Sequence, residues 1–146
     1  MQADIFAFDT ETDSLDYMQA NLVGMSFSVK PGEAAYLPLK HDYPGAPDQL
    51  SLESVLSKLA PVLESSEFAK VGHNLKYDMS VLARHNIDLK GIEHDTMLQS
   101  YILDSTASRH DLDSLCALHL KHKNIKFEQV AGKGVKQITF NPVSYT

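Results

Sequence analysis

The sequence predicts an α/β domain built on a mixed β-sheet, and three observations carry that prediction. Ile5–Phe8 is apolar on both parities, the pattern of a central strand covered on both faces. Two further strand patterns follow with no helix between them, which suits an antiparallel meander. From Ser51 onward helical and extended patterns alternate, as in a domain whose later strands run parallel.

Taken in order, Asn21–Val29 is the second strand, with apolar residues on both faces in its first half. Lys30-Pro31-Gly32-Glu33 is a turn, and Ala34–Leu39 a third strand stopped by Pro38. His41–Gln49, with Pro44, Gly45 and Pro47, is a loop. Ser51 and Glu53 open a helix running to about Glu64, with Val55, Leu56, Leu59 and Leu63 at helical spacing. Phe68–Val71 is a short strand ending at Gly72. Asn74 is placed to cap a helix over Leu75–His85, and Ile87–Ile92 leads into a last strand. Asp95 and Asp111 are placed to cap helices over Thr96–Leu103 and Leu112–Leu120.

A chain of 146 residues, 43% hydrophobic and 22% charged, fits one domain with its own core. No apolar run approaches a membrane span, and the first residues lack a signal peptide's basic and apolar regions. The single cysteine, Cys116, excludes an internal disulfide and a cysteine-based zinc site, so the expected compartment is a reducing cytoplasm. A net charge of −6 argues against a nucleic-acid partner until its distribution is considered. Asp4, Asp9, Glu11, Asp13 and Asp16 form an acidic pole. Lys121, Lys123, Lys126, Lys133 and Lys136 form a basic segment suited to phosphates.

The chemistry starts at Asp9 and Glu11. Residues i and i+2 of a strand share a face, which sets these Cα atoms about 6.5–7 Å apart. Two like charges at the end of a buried strand repel and resist desolvation. A hard divalent cation, Mg²⁺ or Mn²⁺, relieves both problems. Asp78 lies on the face of its helix that carries Leu75, Met79 and Leu82, so it is an inward acid in need of a partner. A cation shared with Asp9 and Glu11 is the economical one. Gly132-Lys133-Gly134 lacks the strand and the hydroxyl residue of a phosphate loop. His119 and His122 lack the spacing of a zinc helix, and Cys116, beside Leu112 and Leu115, is expected in the core.

Phe8-Asp9-Thr10-Glu11-Thr12, Asn74-Leu75-Lys76-Tyr77-Asp78 and Asp95-Thr96-Met97-Leu98 together resemble the proofreading exonuclease domains of family A DNA polymerases, of the bacterial DNA polymerase I type. Gly24, the Ala34–Pro38 strand, Ser108-Arg109-His110-Asp111 and Phe127 extend the likeness over nearly the whole chain. The resemblance implies a DEDD exonuclease with a ribonuclease H-like fold: a five-stranded sheet, three antiparallel strands plus parallel ones, with flanking helices. It implies that Asp9, Glu11 and Asp78 are catalytic and hold two divalent ions, that water is activated between them, and that nucleoside monophosphates are cut from a 3′ end. It sets Thr12 and Leu15 near the terminal nucleotide, and Asn74, Tyr77, Arg109 and Phe127 along a single-strand channel. The implied partners are a single-stranded DNA 3′ end and a polymerase domain of the same parent chain.

One departure stands out. The family's third motif, Tyr-x-x-x-Asp on a final helix, is absent from Asn141–Thr146, and Tyr145 has no residue four places later. Residues 1–146 are therefore expected to be this exonuclease domain without its C-terminal helix, carrying three of four acids and little turnover alone. Two readings compete: an exoribonuclease like RNase D, and a catalytically silent structural or DNA-binding module of a polymerase.

Overall fold

Strand β1 (Ile5–Thr12) is the middle strand of a five-stranded sheet. It pairs antiparallel with β2 (Leu22–Lys30), which pairs antiparallel with β3 (Glu33–Pro38). On its other side it pairs parallel with β4 (Ala69–Gly72), which pairs parallel with β5 (Ile92–Asp95). The sheet order is β3-β2-β1-β4-β5, the meander plus parallel strands that the pattern predicts. The computed structural model describes residues 5–106 and 109–145; Asp4 of the acidic pole and Ser108 of the Ser-Arg-His-Asp motif lie outside them.

Two crossover helices supply the core. Helix α1 (Leu52–Leu63) is capped by Ser51, whose side chain accepts from the Ser54 amide, and it links β3 to β4. Helix α2 (Leu75–Ala83) links β4 to β5. Phe8 and Met25 of the sheet, Val55, Leu56 and Leu63 of α1, and Leu75, Val81 and Leu82 of α2 form one buried cluster. Met79 stands 40% exposed, so the buried stripe of α2 runs through Leu75, Asp78, Val81 and Leu82 rather than through Met79.

Two local expectations, the Asn74 cap and the Leu112–Leu120 helix, are corrected. Asn74 does not cap α2 with its side chain: it sits at φ 62°, and the Asp95 carboxylate accepts from the Asn74 and Leu75 amides. The same carboxylate accepts from Met97 and Leu98, so Asp95 serves the starts of both α2 and α3 (Thr96–Leu103). As expected, Ile87–Ile92 leads into the last strand, which begins at Ile92; Ile87 and Leu89 enter the core from an extended connection tied by Lys90 N–H to the Leu63 carbonyl. The helix expected over Leu112–Leu120 divides into α4 (Leu112–Leu115), capped by Asp111, and a π-helical turn over Cys116–Leu120, ended by Lys121 at φ 56°. Cys116 is half-buried there rather than in the core. A short α5 (Phe127–Ala131) follows within the basic segment.

The sheet's second face differs from the first. Ala7, Asp9, Ser26, Ser28 and Val71 line an open depression of about 350 Å³ with Thr96 and Leu112 at its edge. No residue of α3 is buried, and Ile102 and Leu103 are each 84% exposed. The expected covering of β1 on both faces therefore holds for one face only. Tyr36 fills the space over Gly24, where a β-carbon would overlap its ring. His41 Nδ1 donates to the Val143 carbonyl, which leaves Nε2 to accept from the Tyr36 hydroxyl. Tyr145 packs on the His41 ring, fixing the last described residues beside this edge.

Candidate active site

Where β1 leaves the core, its alternation sends Thr10 toward α2 and Asp9 and Glu11 to the opposite face, opposite Ser26 and Gly24. Thr10 is buried and ties the two elements together. Its amide and its hydroxyl donate to Asp78 Oδ1 at 2.8 and 2.6 Å. Asp78, 2% exposed, is thus an inward acid on the first turn of α2, as its spacing predicts.

A cleft of about 770 Å³ opens at this strand end. It is lined by Asp9, Glu11 and Asp78 together with Thr12, Leu15, Asn74, Tyr77 and Phe127, so it gathers eight of the nine residues expected at the site. Leu15 stands 96% exposed at the wall. Phe127 stacks on Phe140 with ring centres 6.2 Å apart. The Tyr77 hydroxyl donates to the Ser14 carbonyl and meets the Thr12 hydroxyl, which also bonds that carbonyl. Tyr77 thereby fixes the loop after β1 and offers the cleft its ring rather than its hydroxyl. Arg109 is the residue left out. It lies in a separate depression, its guanidinium 3.1 Å from Asp111.

The three acids share one electrostatic neighbourhood. Burial, then Asp78, then Glu11 push the Asp9 carboxyl up to about 7. Asp9 is exposed as a whole residue and lines the cleft. Burial and Asp78 raise Glu11 to about 7 as well. Asp78 is raised by burial against the opposing pull of the two Thr10 bonds. Near neutral pH such a site gains from a cation that replaces protons. The donor set is all oxygen and matches a hard divalent ion. Among the described residues, however, no group of three or more His, Cys, Asp or Glu side chains is already closed around one point. The residues fit a divalent ion by donor chemistry and charge, not as a finished cage.

Sequence reasoning missed His73, Phe140 and the strip Gln137–Thr139, all on the cleft wall. Thr96 Oγ1 donates to the Gly72 carbonyl, so His73 Nδ1 donates to Thr96 at 2.9 Å. Burial lowers the pKa of its imidazole. The available signal for His73 was its position just beyond a parallel strand's end, where ligands gather in such sheets. Residues 137–140 have no periodicity and gave none.

The fold and cleft define a class, the ribonuclease H-like α/β nucleases. Solved structures that share the fold include Brucella melitensis NrnC, at a TM-score of 0.65 and 25% identity over 86% of this chain and 56% of that one. A further NrnC structure, 24% identical, contains bound Mg²⁺. Escherichia coli RNase D superposes at a TM-score of 0.61 and 18% identity, covering 86% of this chain and 30% of that one. The chain belongs to the 3′–5′ exonuclease family of A-type DNA polymerases, whose profile matches residues 1–144. It is 54% identical over 145 residues to DNA polymerase I of Pseudomonas aeruginosa, an alignment spanning 98% of this chain and 16% of that polymerase. It corresponds to the exonuclease part of such polymerases. Among the described residues no helix is long and apolar enough to cross a membrane.

Proposed function

We propose that this chain serves a cytoplasmic DNA polymerase I as its proofreading domain, hydrolysing the 3′-terminal nucleotide of single-stranded DNA. The observation that carries the reading is the convergence of Asp9, Glu11 and Asp78 on one cleft, where each of the β1 acids is raised to about 7 with Asp78 among the causes. Asp9 and Glu11 would hold one divalent ion, and Asp9 with Asp78 a second; Mg²⁺ is the expected species and Mn²⁺ would serve. Bound there, such ions supply Lewis-acid stabilisation and lower the pKa of water. Thr10 keeps Asp78 aimed across the cleft. Thr12 and Leu15 seat the terminal nucleotide, Asn74 lines its path, and the rings of Tyr77 and Phe127 stack on bases without sequence preference.

The open-face depression shares Thr96 and Leu112 with a second groove of about 540 Å³ lined by Leu103, Leu115 and Leu118. A helix bearing Tyr-x-x-x-Asp, laid along this strip, would bury α3 and add the fourth acid. The parent polymerase provides the test. Asp9→Ala and Asp78→Ala should each lower Mg²⁺-dependent release of 3′ nucleotides at least about a hundredfold, more than loss of an outer hydrogen bond gives. Nucleotide incorporation should persist. Undiminished release by either variant would overturn the assignment. Equal release from RNA would favour the RNase D-like reading, and no release by the unaltered chain a silent module.

A further inference from the structure

The catalytic cleft has a problem of charge. Its wall carries Asp9, Glu11, Asp13, Asp78 and Glu128, of which Glu128 pairs with Lys133 at 3.3 Å, and no lysine or arginine lines it. Such a surface repels a phosphodiester strand beyond whatever the bound ions neutralise. A strand that reaches this cleft needs to be held by its backbone somewhere else, within a short distance.

A second depression, of about 630 Å³, meets that need. Arg109, Lys121, Lys123 and Lys126 line it. Its two acids are occupied: Asp111 caps α4 and pairs with Arg109, and Asp113 accepts from the Asn124 side chain at 2.9 Å. Among the described residues no carboxylate pairs with Lys121, Lys123 or Lys126, and all three are exposed. The Lys121 ammonium donates to the Leu118 carbonyl, which leaves its charge uncompensated. The two depressions have consecutive lining residues at the start of α5. Lys126 lines the basic one and Phe127, the next residue, lines the acidic one. Their Cα atoms are about 3.8 Å apart across one peptide. A strand whose base stacks on Phe127 thus carries its neighbouring phosphates past Lys126.

We propose that this basic depression is a binding site for the phosphate backbone of a single nucleic-acid strand, holding the nucleotides that precede the 3′ end in the acidic cleft. The proposal rests on the 3′-end reading of that cleft. Binding is sequence-independent and salt-sensitive, because lysine ammonium groups meet phosphates as point charges.

The test is equilibrium binding, by fluorescence anisotropy in EDTA, of labelled dT12 to the 146-residue chain. The triple variant K121Q/K123Q/K126Q should bind dT12 about tenfold more weakly at low salt, and the slope of log K against log salt should flatten by about 2, since each single-strand phosphate contact contributes roughly 0.7. The control K30Q/K58Q/K90Q changes net charge equally and should leave both quantities unaltered. An unchanged dT12 affinity and slope in a triple variant with an intact circular dichroism spectrum overturns the proposal, as does equal loss in the control or no binding of dT12 by the parent chain. EDTA removes turnover, so this outcome is read separately from nucleotide release, whose failure would sink the exonuclease reading instead.

Discussion

The two faces of the sheet follow different rules. On one, Phe8, Met25 and two helices bury a continuous core, and even the acid that lies there, Asp78, has its bonds to Thr10. On the other, Asp9 stands among Ser26, Ser28 and an uncovered helix α3, with Glu11 two residues on, opposite Gly24. One strand supplies both faces by simple alternation. The packed face holds the fold, and the open face holds charges that oppose it. A site built this way draws its rigidity from residues it never exposes.

Substitutions on the packed face should have the largest effect. Leu82→Ala removes a fully buried side chain and should lower the unfolding free energy by about 2–5 kcal/mol in denaturant titrations. Asp95→Ala comes next, because one carboxylate serves the first amides of both α2 and α3; a loss of about 2 kcal/mol is expected. Asp9→Asn has the opposite sign. Folded Asp9 retains a proton up to about pH 7 that the unfolded chain releases near its ordinary 3.8. Its contribution to the metal-free chain therefore declines as pH rises through that window. The variant should melt a few degrees higher than the parent at pH 8 and no higher at pH 4, by thermal denaturation in EDTA. Ile102→Ser, on the exposed α3, should change stability by no more than about 0.5 kcal/mol. A large loss there would show that the open face is already packed.

Legibility followed the same division. Strands β1 to β4 and helices α1 and α2 could be read because apolar runs and helical spacing record burial, and α3 because Asp95 is placed to cap it. The last strand could be placed only by what flanks it: Glu93, His94 and Asp95 are polar, since β5 is an edge strand, and the apolar Ile87 and Leu89 belong to the connection that leads into it. The π-helical turn and α5 leave no periodic trace. At the site, the parity of Asp9 and Glu11 and the inward spacing of Asp78 were readable as local geometry. The double role of Asp95 was not, because it joins helices about twenty residues apart in sequence. Arg109 was placed in the channel by resemblance alone; the fold sets it outside the acidic cleft, in the basic depression, along the strand path proposed above.

The most direct test of the account is a calorimetric titration of Mg²⁺, and in parallel Mn²⁺, into the 146-residue chain and its Asp9→Asn variant at pH 6 and pH 8. Asp9 and Glu11 both titrate near 7, so protons compete with the ion at the lower pH. The account predicts binding at pH 8 that is about tenfold or more weaker at pH 6, with proton release, and that Asp9→Asn abolishes. Binding of equal strength in parent and variant, or independent of pH between those values, would contradict it.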